Sequence, residues 1–381
     1  MQRIVVNNHN PWLEDARSCH VVVEILLRLP PIPRRRVRLV CRLWRNVVDK
    51  HTTEMQSRAT ALLWDTMDAV AYVVDDLSKS STGSYTELWR RDTAAPYTRP
   101  GRLQLIGTCN GLLCLCDNEE FPGGAVTLVN PATGEALPVP PLPCAGPFRP
   151  RDPVWEKWHE AYSFGHHPTT GQYKVVHVPC TMLNDACRFD AVQVLTLGDA
   201  SWREVPAGPA AEGACCNLDA GVVSVDGATY WVVSFDLDKE EVTRVRGLPG
   251  NPYSPDHHQL TEVHGRLGIV VVRGLSRRTE VWVLEKGRRK WRCRYSLTRH
   301  DVPRPRFVYG ECVLTLKNGL MYGHHRQKGV WSSSKKAVPV EVNHGARGTL
   351  LATMKAGWFR TFSYVQTTEP LSIYMLPIDN A

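Results

Sequence analysis

The sequence predicts a mainly β protein, in which a small N-terminal helical unit precedes a β-propeller of about six blades. Apolar residues recur at helical spacing only near the N-terminus, within residues 17–51. From about residue 58 onward, short runs rich in Val, Leu, Tyr and Trp alternate with Gly, Pro, Asn and Asp turns. We therefore expect a flexible tail over residues 1–16, the helical unit over 17–51 and the propeller over 58–381.

The first predicted helix has one apolar face and a clear end. Its apolar residues are spaced at i, i+1, i+4, i+5 and i+8, and they are Val21, Val22, Ile25, Leu26 and Leu29. Pro30 and Pro31 end it, because proline lacks an amide donor and clashes with the preceding turn.

The second predicted helix follows Pro33 and is apolar on more than one side. Its main stripe consists of Val37, Val40, Cys41, Trp44, Val47 and Val48. Leu39 and Leu43 lie off that stripe, one turn apart. A unit of about 35 residues buries too little surface to be firmly stable alone. The remaining apolar surface is covered either by a partner protein or by the propeller itself.

The rest of the chain is divided into short strands that recur as hairpins. Predicted strands lie at 61–64, 69–74, 112–116, 126–129, 173–178, 191–197, 221–225, 229–235, 267–272, 280–284 and 312–316. Glycine-containing turns precede apolar strands at Asn110-Gly111, Asp226-Gly227, His264-Gly265 and Asn318-Gly319. A second type of hairpin recurs about every 40 to 65 residues, which brackets the blade length of propellers. A large β-sandwich or two small β domains is the alternative.

Composition and charge narrow the function classes. The net charge of +8 is modest for 381 residues and makes nucleic acid an unlikely partner. No apolar stretch reaches the length of a membrane span, and the first residues do not resemble a signal peptide. The twelve cysteines should then remain reduced, so we expect a cytoplasmic and/or nuclear protein.

Two segments of the helical unit resemble the F-box. They are residues 24–30 (EILLRLP) and 40–45 (VCRLWR), with Arg36 between them. The family usually opens its first helix with Leu-Pro and an acidic pair, where this chain has Arg17, Ser18, Cys19 and His20. Arg34 and Arg35 stand where the family usually has two leucines.

The remainder is similar to the F-box-associated, kelch-like β-propeller region of plant F-box proteins. The matching pieces, in the order of the family, are residues 109–114 (CNGLLC), 130–133 (NPAT), 164–168 (FGHHP), 173–175 (YKV), 201–203 (SWR) and 234–237 (SFDL). Together the two resemblances cover nearly the whole chain.

The resemblance implies a substrate-recognition subunit of a Skp–cullin–F-box ubiquitin ligase. The F-box would bind the Skp-type adaptor, and through it the cullin ligase, while the propeller would hold an unknown target protein. No catalytic residue and no cofactor are implied. The expected adaptor-binding residues are Val22, Ile25, Leu26, Leu29, Pro30, Leu39, Leu43 and Trp44. Trp44 is equally compatible with a place in the F-box core.

Two other functions are compatible with the residues. The first is a protein-binding propeller whose degenerate F-box does not engage a ligase. The second is a propeller enzyme, which needs a metal or acid–base cluster at the central channel, and the sequence contains no recognisable motif for one. The histidine pairs 166–167, 257–258 and 324–325 lack the spacing of a zinc site, so no metal is expected.

Several loops are candidates for recognition of the target. Residues 141–158, 184–189 and 248–258 are long or turn-rich connections, and loops on a rigid scaffold commonly carry binding. The basic run 286–292 (KGRRKWR) is either a nuclear-localisation or nucleic-acid patch or an exposed turn with Trp291 packed in a blade. We favour the turn.

Overall fold

The computed structural model describes residues 60–375, with internal gaps. The gaps are 75–76, 78–84, 92–100, 120–122, 144–157, 168–169, 179–180, 184–185, 210–220, 232, 246, 250–256, 274–277, 286–289, 299–300, 311, 326–339, 343–348 and 354–358. The chain divides into two compact units, Met1–Arg58 and Ala59–Ala381. The two predicted helices lie outside the described residues, so their bounds stay predictions.

Six antiparallel sheets, numbered blades I to VI in chain order, form the second unit, as the sequence predicted. Blade I begins with β1 (Thr60–Asp65), β2 (Val70–Val74) and β3 (Tyr85–Arg90). Blade II contains β4 (Leu103–Cys109), β5 (Leu112–Asp117), β6 (Ala125–Val129) and β7 (Ala136–Pro138). Blade III contains β8 (Tyr162–His166), β9 (Tyr173–His177), β12 (Ala191–Thr196) and β13 (Arg203–Pro206). A separate hairpin, β10 (Thr181–Leu183) and β11 (Ala186–Arg188), lies between its second and third strands in the chain.

The second half of the unit repeats the pattern. Blade IV contains β14 (Val223–Val225), β15 (Ala228–Tyr230), β16 (Val233–Asp236) and β17 (Val242–Arg244). Blade V contains β18 (His257–Val263), β19 (Arg266–Arg273), β20 (Arg278–Leu284) and β21 (Trp291–Thr298). Blade VI contains β23 (Val308–Tyr309), β24 (Cys312–Lys317), β25 (Leu320–His325) and β27 (Thr349–Thr353), and β22 (Arg304–Pro305) immediately precedes it. A short strand, β26 (Val340–Val342), is added in parallel to β21.

The last strand that the structure describes closes the ring. β28 (Phe359–Tyr364) pairs antiparallel with β1 along its whole length, from Thr60↔Tyr364 to Asp65↔Phe359. Blade I is therefore completed by both ends of the unit.

The described helical elements are two short 3₁₀ segments, Trp158–Ala161 and Leu371–Tyr374. Neither has the length or apolar character needed to cross a bilayer.

The four predicted glycine-containing turns are confirmed. In each, both central residues have positive φ, from 49° to 51° at the first position and from 70° to 85° at the second. These are type I′ values, which match the twist of the flanking strands and favour Asn, Asp and Gly. The predicted strand 229–235 is wrong as one element, because the chain turns back at Trp231 between β15 and β16. That turn contains neither glycine nor proline, so nothing in the apolar run indicates it.

The topology gives the propeller two different faces. Within a blade, the connections from the first to the second strand and from the third to the fourth leave at one end, which we call the turn face. The connections between blades, and those from the second to the third strand, leave at the other end, which we call the loop face. All three predicted recognition loops, 141–158, 184–189 and 248–258, belong to connections at the loop face.

The core lies between neighbouring blades rather than within them. Five apolar clusters each combine residues from adjacent blades, as where Val176 and Val194 of blade III meet Trp231 and Phe235 of blade IV. Each blade has apolar faces that only its neighbours cover.

One polar side chain inside this core should make stability depend on pH. His177 is fully buried, donates from Nδ1 to Gln193 Oε1 at 3.0 Å, and packs against the ring of Tyr162. Burial lowers the pKa of His177 to about 4, with the bond to Gln193 opposing the shift. An unfolded chain with its ordinary histidine binds a proton at higher pH, so stability is full above about pH 6.5 and falls as the pH drops towards 4.

We expect the free energy of unfolding to fall by about 2 kcal/mol from this group between about pH 7.5 and about pH 5. Urea unfolding at the two pH values measures it. His177→Phe should remove this part of the pH dependence, while a mutant with the full wild-type dependence would exclude His177 as its source.

Candidate functional site

The predicted adaptor-binding residues lie outside the described residues. They are Val22, Ile25, Leu26, Leu29, Pro30, Leu39, Leu43 and Trp44. Their role stays a prediction from the sequence pattern, and the site that the structure can describe is the propeller.

A small cavity lies at the propeller axis. Its volume is about 60 Å³, room for a few water molecules, and it is lined by residues of blades I to V together with Pro305 of β22 and Arg306. Ser163 and Ser224 are hydrogen-bonded across the boundary of blades III and IV, and Thr229 Oγ1 lies 3.1 Å from Ser163 Oγ. On the opposite wall, Arg306 Nη1 lies 3.4 Å from Glu262 Oε1. These groups satisfy one another, so the cavity is part of the scaffold.

Side-chain hydrogen bonds join the inner strands to one another. Thr108 Oγ1 donates to Ser363 O at 2.5 Å, and Thr261 Oγ1 donates to Pro305 O at 2.6 Å. Arg360 Nη1 donates to Leu105 O at 2.8 Å. Burial lowers the pKa of Arg360 to about 10. The ring is thus closed by specific polar contacts as well as by packing, which gives its surface loops a rigid base.

The part of the chain that the structure describes contains no cluster of metal-ligating side chains. No three His, Cys, Asp or Glu side chains there are placed to hold one ion. His324 of the third histidine pair instead lies 2.8 Å from Thr315 Oγ1, on the neighbouring strand.

An ion cluster orders the loop face where blades I and II meet. Asp117, at the end of β5, accepts from Arg102 Nε at 2.7 Å and from Arg91 Nη1 at 3.1 Å. Burial opposes ionisation, but the hydrogen bonds from Arg102, the Glu119 amide and Arg91 lower the pKa of Asp117. The two arginines flank the connection 92–100, so both ends of this loop are fixed.

The first predicted recognition loop is also anchored at its end. Trp158 is buried in the apolar cluster between blades II and III, so this tryptophan fills the core. The next residue, His159, donates its amide to Asn118 Oδ1 at 3.0 Å. Recognition by the loop would then depend on residues before Trp158.

On the turn face, the chain after β28 forms a C-terminal strap, residues 365–375, that the sequence did not predict. Glu369 is 1% exposed, and its carboxylate accepts from Tyr173 Oη at 2.9 Å and Tyr374 Oη at 2.7 Å. Its carbonyl accepts from Asn130 Nδ2 at 2.7 Å. Burial raises the pKa of Tyr173 well above its ordinary value, which keeps it a donor. The strap fastens the end of blade I to blades II and III.

A charged triad joins blades III and IV on the same face. Glu240 accepts from Lys174 Nζ at 2.7 Å and from Arg203 Nη2 at 2.6 Å. Burial opposes its ionisation, yet the hydrogen bonds from Arg203 and Lys174 lower the pKa of Glu240.

The predicted packing of Trp291 in a blade is confirmed. This tryptophan lies in the basic run 286–292 and is buried between blades IV and V.

Comparison with known proteins agrees with this architecture. Residues 76–318, which are 243 of the 381, match the family described as the F-box associated beta propeller domain, and residues 19–53 match the F-box domain. The chain is 23% identical to the Arabidopsis thaliana F-box protein At3g07870, covering 94% of this chain and 92% of that protein.

Two other Arabidopsis thaliana proteins match a smaller part. The F-box protein At5g18160 is 25% identical over 71% of this chain and 67% of its own length. The F-box/LRR-repeat protein At2g43260 is 23% identical over 72% of this chain and 66% of its own length. The chain has six blades, matches both domain families and is similar to these relatives. It therefore belongs to the family of F-box proteins that carry an F-box associated β-propeller domain.

Proposed function

We propose that this protein is the substrate-recognition subunit of a Skp–cullin–F-box ubiquitin ligase. The observation that carries the proposal is the order of its two domains, an F-box match at 19–53 followed by the propeller match at 76–318. The first domain binds the Skp-type adaptor, and the second holds the target protein. The protein itself is a non-catalytic subunit and needs no cofactor.

The loop face is the part of the propeller best suited to hold the target. It carries the three recognition loops 141–158, 184–189 and 248–258, whereas the turn face is crossed by tight turns and by the C-terminal strap. Long loops on a rigid scaffold can vary without unfolding it, which favours recognition. The closed ring and the ion cluster at Asp117 supply that scaffold.

The adaptor-binding surface of the F-box is apolar, and the sequence pattern places it at the end of the first helix. Each apolar side chain that the adaptor covers contributes about 1.5 to 3 kcal/mol before the cost of association. A charge introduced there would be buried without a partner, which costs more than the lost contact.

We expect the double substitution Leu29→Asp with Pro30→Ala to abolish copurification of the protein with a Skp-type adaptor. The wild type should retain the adaptor on affinity purification from cells that express both. Leu350→Asp is the control, because Leu350 is 42% exposed on the propeller and should leave adaptor binding unchanged.

Retention of the adaptor by the double mutant would contradict the proposed surface. Absence of the adaptor from the wild type would favour a propeller that binds proteins without engaging a ligase. The residues Arg17 to His20 and Arg34-Arg35, which differ from the usual F-box pattern, would then be the first to change. We place the protein in the cytoplasm and/or nucleus, where such ligases act.

A further inference from the structure

Blade V is the basic blade of the propeller. Between the start of β18 and the end of β21, residues 257–298 contain ten Lys or Arg and three Glu, a net charge of +7. Residues 58–381 together contain 36 Lys or Arg and 33 Asp or Glu, a net charge of +3, so the rest of that region sums to −4. Within the propeller the positive charge is therefore local to blade V.

All three glutamates of the blade are already paired. Each lies within ion-pair distance of an arginine, and the pairs are Glu262–Arg306 at 3.4 Å, Glu280–Arg273 at 3.2 Å and Glu285–Arg292 at 2.9 Å. Glu262 is paired to an arginine outside the blade. No carboxylate of blade V is left to neutralise its other basic residues.

Exposed basic residues lie on two strands of the blade, and we call Arg266, Lys290, Arg292 and Arg294 the basic edge. Lys290, Arg292 and Arg294 occupy alternate positions just before and after the start of the outermost strand, β21, and Arg266 begins β19, at the same end of the blade as Lys290. Within the described residues, Arg266, Lys290 and Arg294 form no ion pair. By sequence, the connection between β20 and β21 also contains Lys286, Arg288 and Arg289. Like charges held this close together attract an anionic partner over a distance of several ångströms.

β21 is the outermost of the four strands of blade V, and β26 pairs in parallel with Tyr295–Leu297 on its outer side. Lys290, Arg292 and Arg294 are exposed at alternate residues of this outer border. Alternate side chains of an extended peptide point to the same side, so an extended peptide with acidic residues at every second position has the matching repeat.

The aromatic residues of the hairpin favour a peptide over nucleic acid. Proteins that bind single strands stack bases on exposed aromatic rings. Trp291 is 8% exposed and packs into the cluster between blades IV and V, and Tyr295 packs edge-on against Phe307. The basic edge thus offers exposed positive charge but not a stacking surface.

We propose that the basic edge of blade V binds an extended acidic segment of the target protein. This inference rests on the proposed function, because it names the chemistry by which the propeller would hold its target. It also adds a second contact region, on the outer side of the propeller, to the recognition loops.

The test measures binding of three fluorescent probes to the full chain by anisotropy. The probes are a peptide in which Glu alternates with Thr, the same peptide with Gln in place of Glu, and an oligothymidylate of equal charge. We expect the acidic peptide to bind, with an affinity that falls as salt is raised, and the neutral peptide to bind at least about tenfold more weakly.

Charge reversal locates the site. Lys290→Glu with Arg294→Glu should weaken binding of the acidic peptide by about tenfold or more, because two attractive contacts become repulsive. Lys239→Glu with Arg90→Glu makes the same change in net charge at two exposed residues on other blades and should change it less than about twofold. Copurification of the reversed variant with the adaptor is measured in parallel, so that failure of this site is separated from failure of ligase engagement.

Three results would overturn the inference. They are no binding of the acidic peptide, equal weakening by the two reversal pairs, and tighter binding of the oligothymidylate than of the acidic peptide.

Discussion

Replacing Gly111 with alanine is expected to destabilise the propeller by about 3 kcal/mol or more, since it combines backbone strain with a clash. Gly111 has a φ of +85°, which an alanine adopts only at a cost. A Cβ atom there would lie 2.6 Å from Thr367 Cγ2 and closer still to the carbonyl oxygen of Val365. Neither atom can retreat easily, because Glu369 and the buried Leu371 hold the strap in place.

Gly134→Ala is the matched control for this effect. Gly134 has a φ of +76°, and no atom lies within 4 Å of the position that its Cβ would take. Its substitution should cost about 1 kcal/mol, from the backbone alone. Chemical denaturation of both variants measures the difference. Ending the chain after Tyr364 removes the clashing atoms and should make the two costs similar. Equal costs in the full chain would mean that the strap does not occupy this position.

The sequence predicted what is local in this fold. The type I′ turns could be recognised because Asn110-Gly111 and Asp226-Gly227 place residues tolerant of positive φ between apolar strands. The turn at Trp231 could not, since its apolar residues continue the strand pattern and burial between blades replaces the usual turn residues. Local sequence patterns thus predict the blades, whereas the boundary between β15 and β16 depends on packing against the neighbouring blade.

The non-local features had no signal in the sequence. The partners of Glu369 are Tyr173 and Asn130, which are 196 and 239 residues away, and the segment around it has no periodicity. The same holds for the basic edge. The run 286–292 is visible in the sequence, but only the structure shows that Arg292 and Arg294 are exposed on the outermost strand of the blade and that the glutamates of the blade are already paired.

The triad at Glu240 is the contact whose loss should cost most among the polar contacts between blades. Lys174 is 5% exposed at its side chain, and besides Glu240 it donates to the carbonyl of Leu237. Both acceptors belong to blade IV, whereas Lys174 and Arg203 belong to blade III. Glu240 also has a φ of +56°, so this non-glycine residue occupies a conformation that glycine adopts more readily. Its side-chain contacts offset that backbone strain.

Glu240→Gln should therefore lower the free energy of unfolding by about 2 to 3 kcal/mol, because it preserves shape and φ but leaves the buried charge of Lys174 without an anion. Glu241→Gln, at the exposed neighbouring residue, should change it by less than about 0.5 kcal/mol. Lys174→Met added to Glu240→Gln should recover part of the loss, since the uncompensated charge is then absent, and Arg203 is exposed enough to remain hydrated. Urea unfolding of the wild type, the two single variants and the double variant measures these free energies. Equal effects of Glu240→Gln and Glu241→Gln would mean that the ion triad does not hold blades III and IV together. Packing around Trp231 and Phe235 would then hold them alone.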